Sequence, residues 1–151
     1  MFKGFTYIEM IVVMSIIGLL AAIGINQYPG VSRTGRDTQR KNDLRQYQTS
    51  LEGYANTHGN FYPSQTATVD ASVTLCANLG LSNCPDEPKG VNHYFYQSNG
   101  SGGGISDAIQ YVLWTQLEQP PSPTTYWVIC SIGRAGSATS GIPPSSGACP
   151  I

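Results

Sequence analysis

G-F-T-Y-I-E-M-I-V-V-M-S-I-I-G-L-L-A-A-I-G-I, residues 4 to 25, carries one charged side chain, Glu9, in an otherwise uncharged and mostly apolar run. A carboxylate on a membrane-length helix costs roughly 2.5–3.5 kcal/mol near the bilayer centre on insertion scales, so a chain that keeps one has a use for it. From Phe5 to Tyr28 a helix would rise about 36 Å at about 1.5 Å per residue, enough to cross a hydrocarbon core of about 30 Å. The sequence therefore predicts an N-terminal anchor. A cleaved secretory signal is the rival, but N-Q-Y-P-G after the run offers no A-x-A site, and Lys3 is the only charge ahead of it. A plain one-pass anchor leaves Glu9 unexplained.

K-G-F-T-Y-I-E-M-I-V-V resembles the leader and N-terminal helix of type IV pilins and related pseudopilins. The resemblance implies cleavage by a prepilin peptidase after Gly4 and methylation of the new amine on Phe5. Glu9 stands at the family's glutamate, four residues beyond the cut, while Tyr7 and Met10 stand where leucine is commoner. In a helix Glu9 lies about 6 Å along the axis from Phe5. A neighbouring subunit shifted by a similar step could bring its amine to that carboxylate, and in low dielectric the pair would fix register. Burial of Met10 to Ile25 against other helices would supply most of the cohesion. Gly18 and Gly24 lower helix propensity within the run and Pro29 follows it, so the segment between can melt, as the resemblance also implies. Close helix packing at small residues is the alternative.

Beyond Pro29 and Gly30 a second helical pattern begins near Ser32 or Thr34 and ends at Gly59 or Asn60. Leu44, Tyr47, Leu51, Tyr54 and Ala55 recur at three and four, an apolar face suited to packing under a sheet. Arg33, Arg36, Arg40, Lys41 and Arg45 cluster on this stem, whereas from Gln46 onward six acids face only Lys89 and Arg134. A solvated helix face is the simplest use of the cluster. Anionic lipid, acidic patches of neighbouring subunits and DNA phosphates are the others, with nucleic acid the least favoured.

Charged residues are 11% of the 151, against about 25% in average globular chains, which suits a secreted, close-packed assembly. Cys76, Cys84, Cys130 and Cys149 form two separated pairs outside the anchor, and an even count in an exported head favours disulfides. Three connectivities are possible. Cys76 with Cys84 and Cys130 with Cys149 is the expected pairing, because each closes a local loop, and the second would staple a Gly, Ser and Pro-rich tail. No C-x-x-C spacing occurs and His58 and His93 are distant from the cysteines, which disfavours zinc. Strands are predicted at Asn92 to Gln97, Ala108 to Leu117 and Thr125 to Ile132, an antiparallel meander.

The fold expected is α+β: a long N-terminal helix, membrane-embedded in its first half and amphipathic in its second, packed on a small antiparallel sheet. Residues 1–4 are the leader, 5–30 the transmembrane and assembly helix, and 31–151 the exported head. The function implied is a structural subunit of a type IV pilus, held in the cytoplasmic membrane as a single-pass precursor and then assembled on the cell surface. Adhesion, motility and DNA uptake all remain open. Its implied partners are further copies of itself, the prepilin peptidase, the assembly platform with its ATPases, and the membrane. A pseudopilin or a minor pilin is the alternative. The calcium loop of major pseudopilins has no counterpart in Q-P-P-S-P-T-T, and only Asp86 with Glu87 forms an acidic pair. No cofactor or catalysis is implied: there is no G-x-S-x-G, H-E-x-x-H or Walker loop, and Ser101 to Gly104 lacks the lysine of a phosphate loop.

Overall fold

The computed structural model describes residues 4–91, 93–142 and 147–151, with only the backbone described over 24–29. The chain divides into two compact units, Met1–Gly35 and Arg36–Ile151. Helical backbone occupies Tyr7–Thr57, α1. Its side chains are described in two helical stretches, 7–23 and 30–57.

These two stretches correct the expected architecture. Among the described residues no helix is long and apolar enough to cross a membrane, so neither a membrane-embedded first half of a single long helix nor a single-pass precursor is supported. Length and charge set this limit within each described stretch. Taken by itself, the apolar stretch 7–23 accounts for about 25 Å of helix against a core of about 30 Å, and the polar Asn26 and Gln27 follow it in the sequence. The 30–57 stretch is long enough but carries Arg33, Arg36, Asp37, Arg40, Lys41, Asp43, Arg45 and Glu52. Gly24 and Pro29, expected to soften the helix, fall in the segment where only the backbone is described.

In the second unit α1 buries Asp37, Arg40, Leu44, Tyr47, Leu51 and Ala55, a stripe recurring at three and four. The helix closes on two left-handed residues, Gly59 and Asn60, and the Asn60 N–H donates to the Ala55 carbonyl at 2.8 Å. Two short strands follow, β1 (Tyr62–Pro63) and β2 (Val69–Asp70), then a helical turn whose last part is α2 (Cys76–Asn78). Asp70 caps that turn by accepting the Ser72 N–H at 2.8 Å.

The remaining strands are β3 (Phe95–Ser98), β4 (Ser106–Ala108), β5 (Tyr111–Gln116), β6 (Tyr126–Cys130) and β7 (Ala135–Ala138). They form an antiparallel sheet in the order β2-β3-β5-β6-β7, while β1 pairs with β4. The three strands predicted from sequence correspond to β3, which is shifted toward the C-terminus and ends one residue later at Ser98, and to β5 and β6, each trimmed at its ends. The first prediction began at Asn92, which lies outside the described residues. The short strands β1, β2, β4 and β7 have too few alternating residues to be read from pattern.

Alternation along β5 and β6 sorts two clusters. Tyr111, Leu113 and Ile129 face α1 and pack with Leu44, Tyr47 and Leu51, joined by Tyr94 and Tyr96. Val112, Trp114, Val128 and Cys130 face the other way and are covered by Phe95, Tyr126, Ile142, Cys149 and Ile151. Both faces of β5 are therefore buried, the second by the C-terminal tail that the Cys130–Cys149 disulfide holds down. Burying a large apolar side chain contributes about 1.5–3 kcal/mol, so the tail stabilises a face that would otherwise be wet.

Candidate functional site

The first unit contains the residues expected to be processed and to assemble. Gly4 and Phe5 are exposed, and so are the large apolar side chains from Tyr7 to Ile23, each open over about half or more of its surface. Gly18 lies within this helical stretch with nothing near the place a Cβ would occupy. Glu9 is engaged locally. The Thr6 N–H and hydroxyl both donate to Glu9 Oε2, at 2.8 and 2.9 Å, and the Glu9 N–H faces Thr6 Oγ1 at 3.3 Å. This is a capping box, in which N-cap threonine and a glutamate three residues on satisfy the first orphan donors of a helix. T-x-x-E before an apolar run is its sequence signature, and it was present in T-Y-I-E to be read.

The second unit holds an ion cluster where the sequence suggested a solvated basic stem. Arg40 is wholly buried, with Nη1 on Asp37 Oδ1 at 2.6 Å, Nε on Glu87 Oε1 at 2.9 Å and Nη2 on Glu118 Oε1 at 2.8 Å, and with Nη2 also against Glu87. Arg36 grips Glu118 through Nε at 2.8 Å and Nη2 at 2.6 Å. Lys89 Nζ approaches the same carboxylate at 3.4 Å. Burial pulls the Arg40 guanidinium down, but its hydrogen bonds to Glu87, Glu118 and Asp37 outweigh that and hold it above its ordinary range. The Arg36 hydrogen bonds, with Arg40 behind them, hold the Glu118 carboxyl well below the usual carboxylate range against a smaller effect of burial. Burial raises Glu87, yet Arg40 and the N–H groups of Val91 and Lys89 leave it lowered.

The other basic residues of the stem divide. Lys41 sits over the Trp127 ring at 4.6 Å, a cation–π contact, while Arg33 and Arg45 are exposed. The cysteines pair as Cys76–Cys84 and Cys130–Cys149, one of the three connectivities open in the sequence. The acidic pair is spoken for: Asp86 Oδ1 accepts the Glu87 N–H at 2.7 Å, and Glu87 belongs to the ion cluster. Among the described residues no group of three or more His, Cys, Asp or Glu is placed to hold a metal ion. His93 Nδ1 lies 2.6 Å from Asp70 Oδ2, and His58 stacks on Tyr54 at 3.7 Å. The glycine loop at Ser101 to Gly104 wraps a carboxylate of its own chain, Asp107, which accepts the Ser101 N–H at 3.0 Å.

The geometry defines a class: a helix-and-antiparallel-sheet head, stapled by two disulfides, in a chain whose N-terminal helical stretch is apolar, exposed and singly charged. No family model, no curated protein and no solved structure matches the chain.

Proposed function

We propose that this chain is a structural subunit that polymerises through its N-terminal segment, a filament protein of the type IV pilin kind cut after Gly4. The observation that carries the reading is the open apolar surface from Phe5 to Ile23 with Glu9 as its one charge. Contiguous apolar surface of that extent marks an interaction site, and burial is worth roughly 25 cal/mol per Å² removed from water. Identical segments from further copies are the occupant, since each brings the same apolar side chains and the same single carboxylate. Glu9 can serve both its own helix and a neighbour. An ionised carboxylate offers about four lone-pair sites, so Oε2 can keep Thr6 while the group accepts the Phe5 amine of another subunit.

The head fits an extracellular role. Two disulfides persist in oxidising compartments, and the sparse charge of the chain suits dense packing of neighbouring heads. The partners implied by the resemblance are a prepilin peptidase and an assembly platform driven by separate ATPases. The test is mass spectrometry of polymer sheared from cells. An N-terminal peptide beginning at N-methylated Phe5 is the expected result. Polymer that retains Met1, or a chain that is trimmed at Phe5 yet never sediments as polymer, would overturn the reading.

A further inference from the structure

Asn99 and Gly100 stand where β3 leaves the sheet, and the Asn99 side chain is held in an unusual way. Its Oδ1 accepts two backbone N–H groups, from Ile109 at 2.9 Å and Gln110 at 3.0 Å. Two N–H donors aimed at one carbonyl oxygen at such distances form the arrangement that stabilises an oxyanion when the carbonyl carbon is attacked. The attacker is the backbone nitrogen of the next residue. Gly100 has no Cβ and a φ of +99°, and its nitrogen can close a five-membered ring on Asn99 Cγ. Gly100, Ile109 and Gln110 are exposed and Asn99 is half-buried, so water reaches the site.

We propose that Asn99 is a self-modifying residue, converted by the fold to aspartate through a succinimide formed with Gly100. The Gly100 nitrogen gives its proton to solvent base and bonds to Asn99 Cγ, and the oxygen that becomes negative is the one held by Ile109 and Gln110. The intermediate collapses by breaking the Cγ–Nδ2 bond, and ammonia leaves with a proton from water. Water then opens the ring, so the net change is asparagine plus water to aspartate plus ammonia, with no redox step.

The same two donors direct the second half. Hydroxide adding at Cγ again places negative charge on the held oxygen and breaks the Cγ–nitrogen bond, which restores the ordinary backbone. Opening at the main-chain carbonyl would insert an extra carbon into the backbone, and there the chain is clamped. The Asn99 N–H donates to the Gln110 carbonyl at 3.1 Å, and the Asn99 carbonyl accepts the Ser64 hydroxyl at 3.0 Å. Gly147 packs so closely that a Cβ on it would lie 2.9 Å from the Asn99 nitrogen. Aspartate, not isoaspartate, is the product, and it adds a negative charge at the entrance to the glycine loop that Asp107 already binds through the Ser101 N–H.

The experiment uses the unaltered full chain in mildly alkaline buffer, with one sample native and disulfide-bonded and the other reduced and unfolded in guanidinium. Peptide mass spectrometry follows the exchange of NH2 for OH at Asn99, and enzymatic methylation of isoaspartyl groups measures the product split. The native chain is expected to deamidate at least about tenfold faster than the unfolded one, with aspartate in excess. A native rate equal to or slower than the unfolded rate, or isoaspartate as the main native product, would overturn the proposal.

Discussion

Asp37 and Arg40, one turn apart on α1, form a buried ion pair at 2.6 Å, and each then reaches a different part of the chain. Asp37 accepts the backbone N–H groups of Glu118 and Gln119 at 2.9 and 2.8 Å, while Arg40 turns to the side chains of Glu87 and Glu118. The pair thus docks the connection after β5 and the loop before β3 onto one helix face. Removing one member of such a cluster strands charge in a low-dielectric site. Arg40→Met is therefore expected to lose about 3–5 kcal/mol of unfolding free energy in a urea titration. A loss below about 1 kcal/mol would mean that the guanidinium is ornamental to the fold.

Acid should loosen the same joint. Glu87 and Glu118 are held below their ordinary values in the folded chain, so the unfolded chain binds more protons once pH falls below its carboxylate range of about 4.3. Their contribution is fully present above that value and is lost as pH falls through the depressed folded values. Melting temperature should stay level from neutral pH to about pH 5 and then drop, and Glu118→Gln should shallow the drop while lowering the neutral plateau. An identical acid slope in the variant would place the acid sensitivity elsewhere.

The sequence exposed the apolar half of this helix face but not its charged half. Leu44, Tyr47 and Leu51 repeat visibly at three and four, whereas Asp37 and Arg40, on the same stripe, look like any solvated pair until Glu87 and Glu118 are brought to them from far along the chain. A buried charge is legible only with its partners, and those were non-local. The strands β5 and β6 were legible because each is a run rich in β-branched and aromatic side chains, and β3 because of the aromatic Tyr94, Phe95 and Tyr96 at its start. The tail of the chain was not, since its glycines, serines and prolines read as loop, and among its described residues it is the scattered apolar side chains of Ile142, Cys149 and Ile151 that cover the outer face of the sheet. The anchor was misjudged for a different reason: the run was counted from Phe5 through Tyr28, which takes in the polar Asn26 and Gln27, and among the described residues no helix is long and apolar enough to cross a membrane.

Gly147 offers a test of how tightly that tail is seated. It has a φ of +71°, and a Cβ there would come within 2.9 Å of the Ser98 and Asn99 backbone. Gly80 has a similar φ of +65° with open space around it. Alanine at either position carries the left-handed penalty of roughly 1–2 kcal/mol, but only at 147 must backbone move. Gly147→Ala should destabilise by about 1–3 kcal/mol more than Gly80→Ala in parallel denaturation curves. Equal losses would show that the tail shifts freely.

Thr6 and Glu9 separate two uses of one carboxylate. If Glu9 serves only as the third residue of a capping box, Thr6→Ala should weaken the start of the helix, Glu9→Gln should hardly change it because a glutamine at that position still caps, and neither should alter polymer yield. If it also receives the amine of a neighbouring Phe5, the neutral glutamine removes the charge pairing while keeping the cap. Glu9→Gln should then cut the yield of sheared polymer by at least about tenfold, the equivalent of roughly 1.4 kcal/mol per subunit contact, while Thr6→Ala reduces it far less. Polymer of unchanged yield and helical order from Glu9→Gln would leave the carboxylate with its local role alone and remove charge pairing from the assembly.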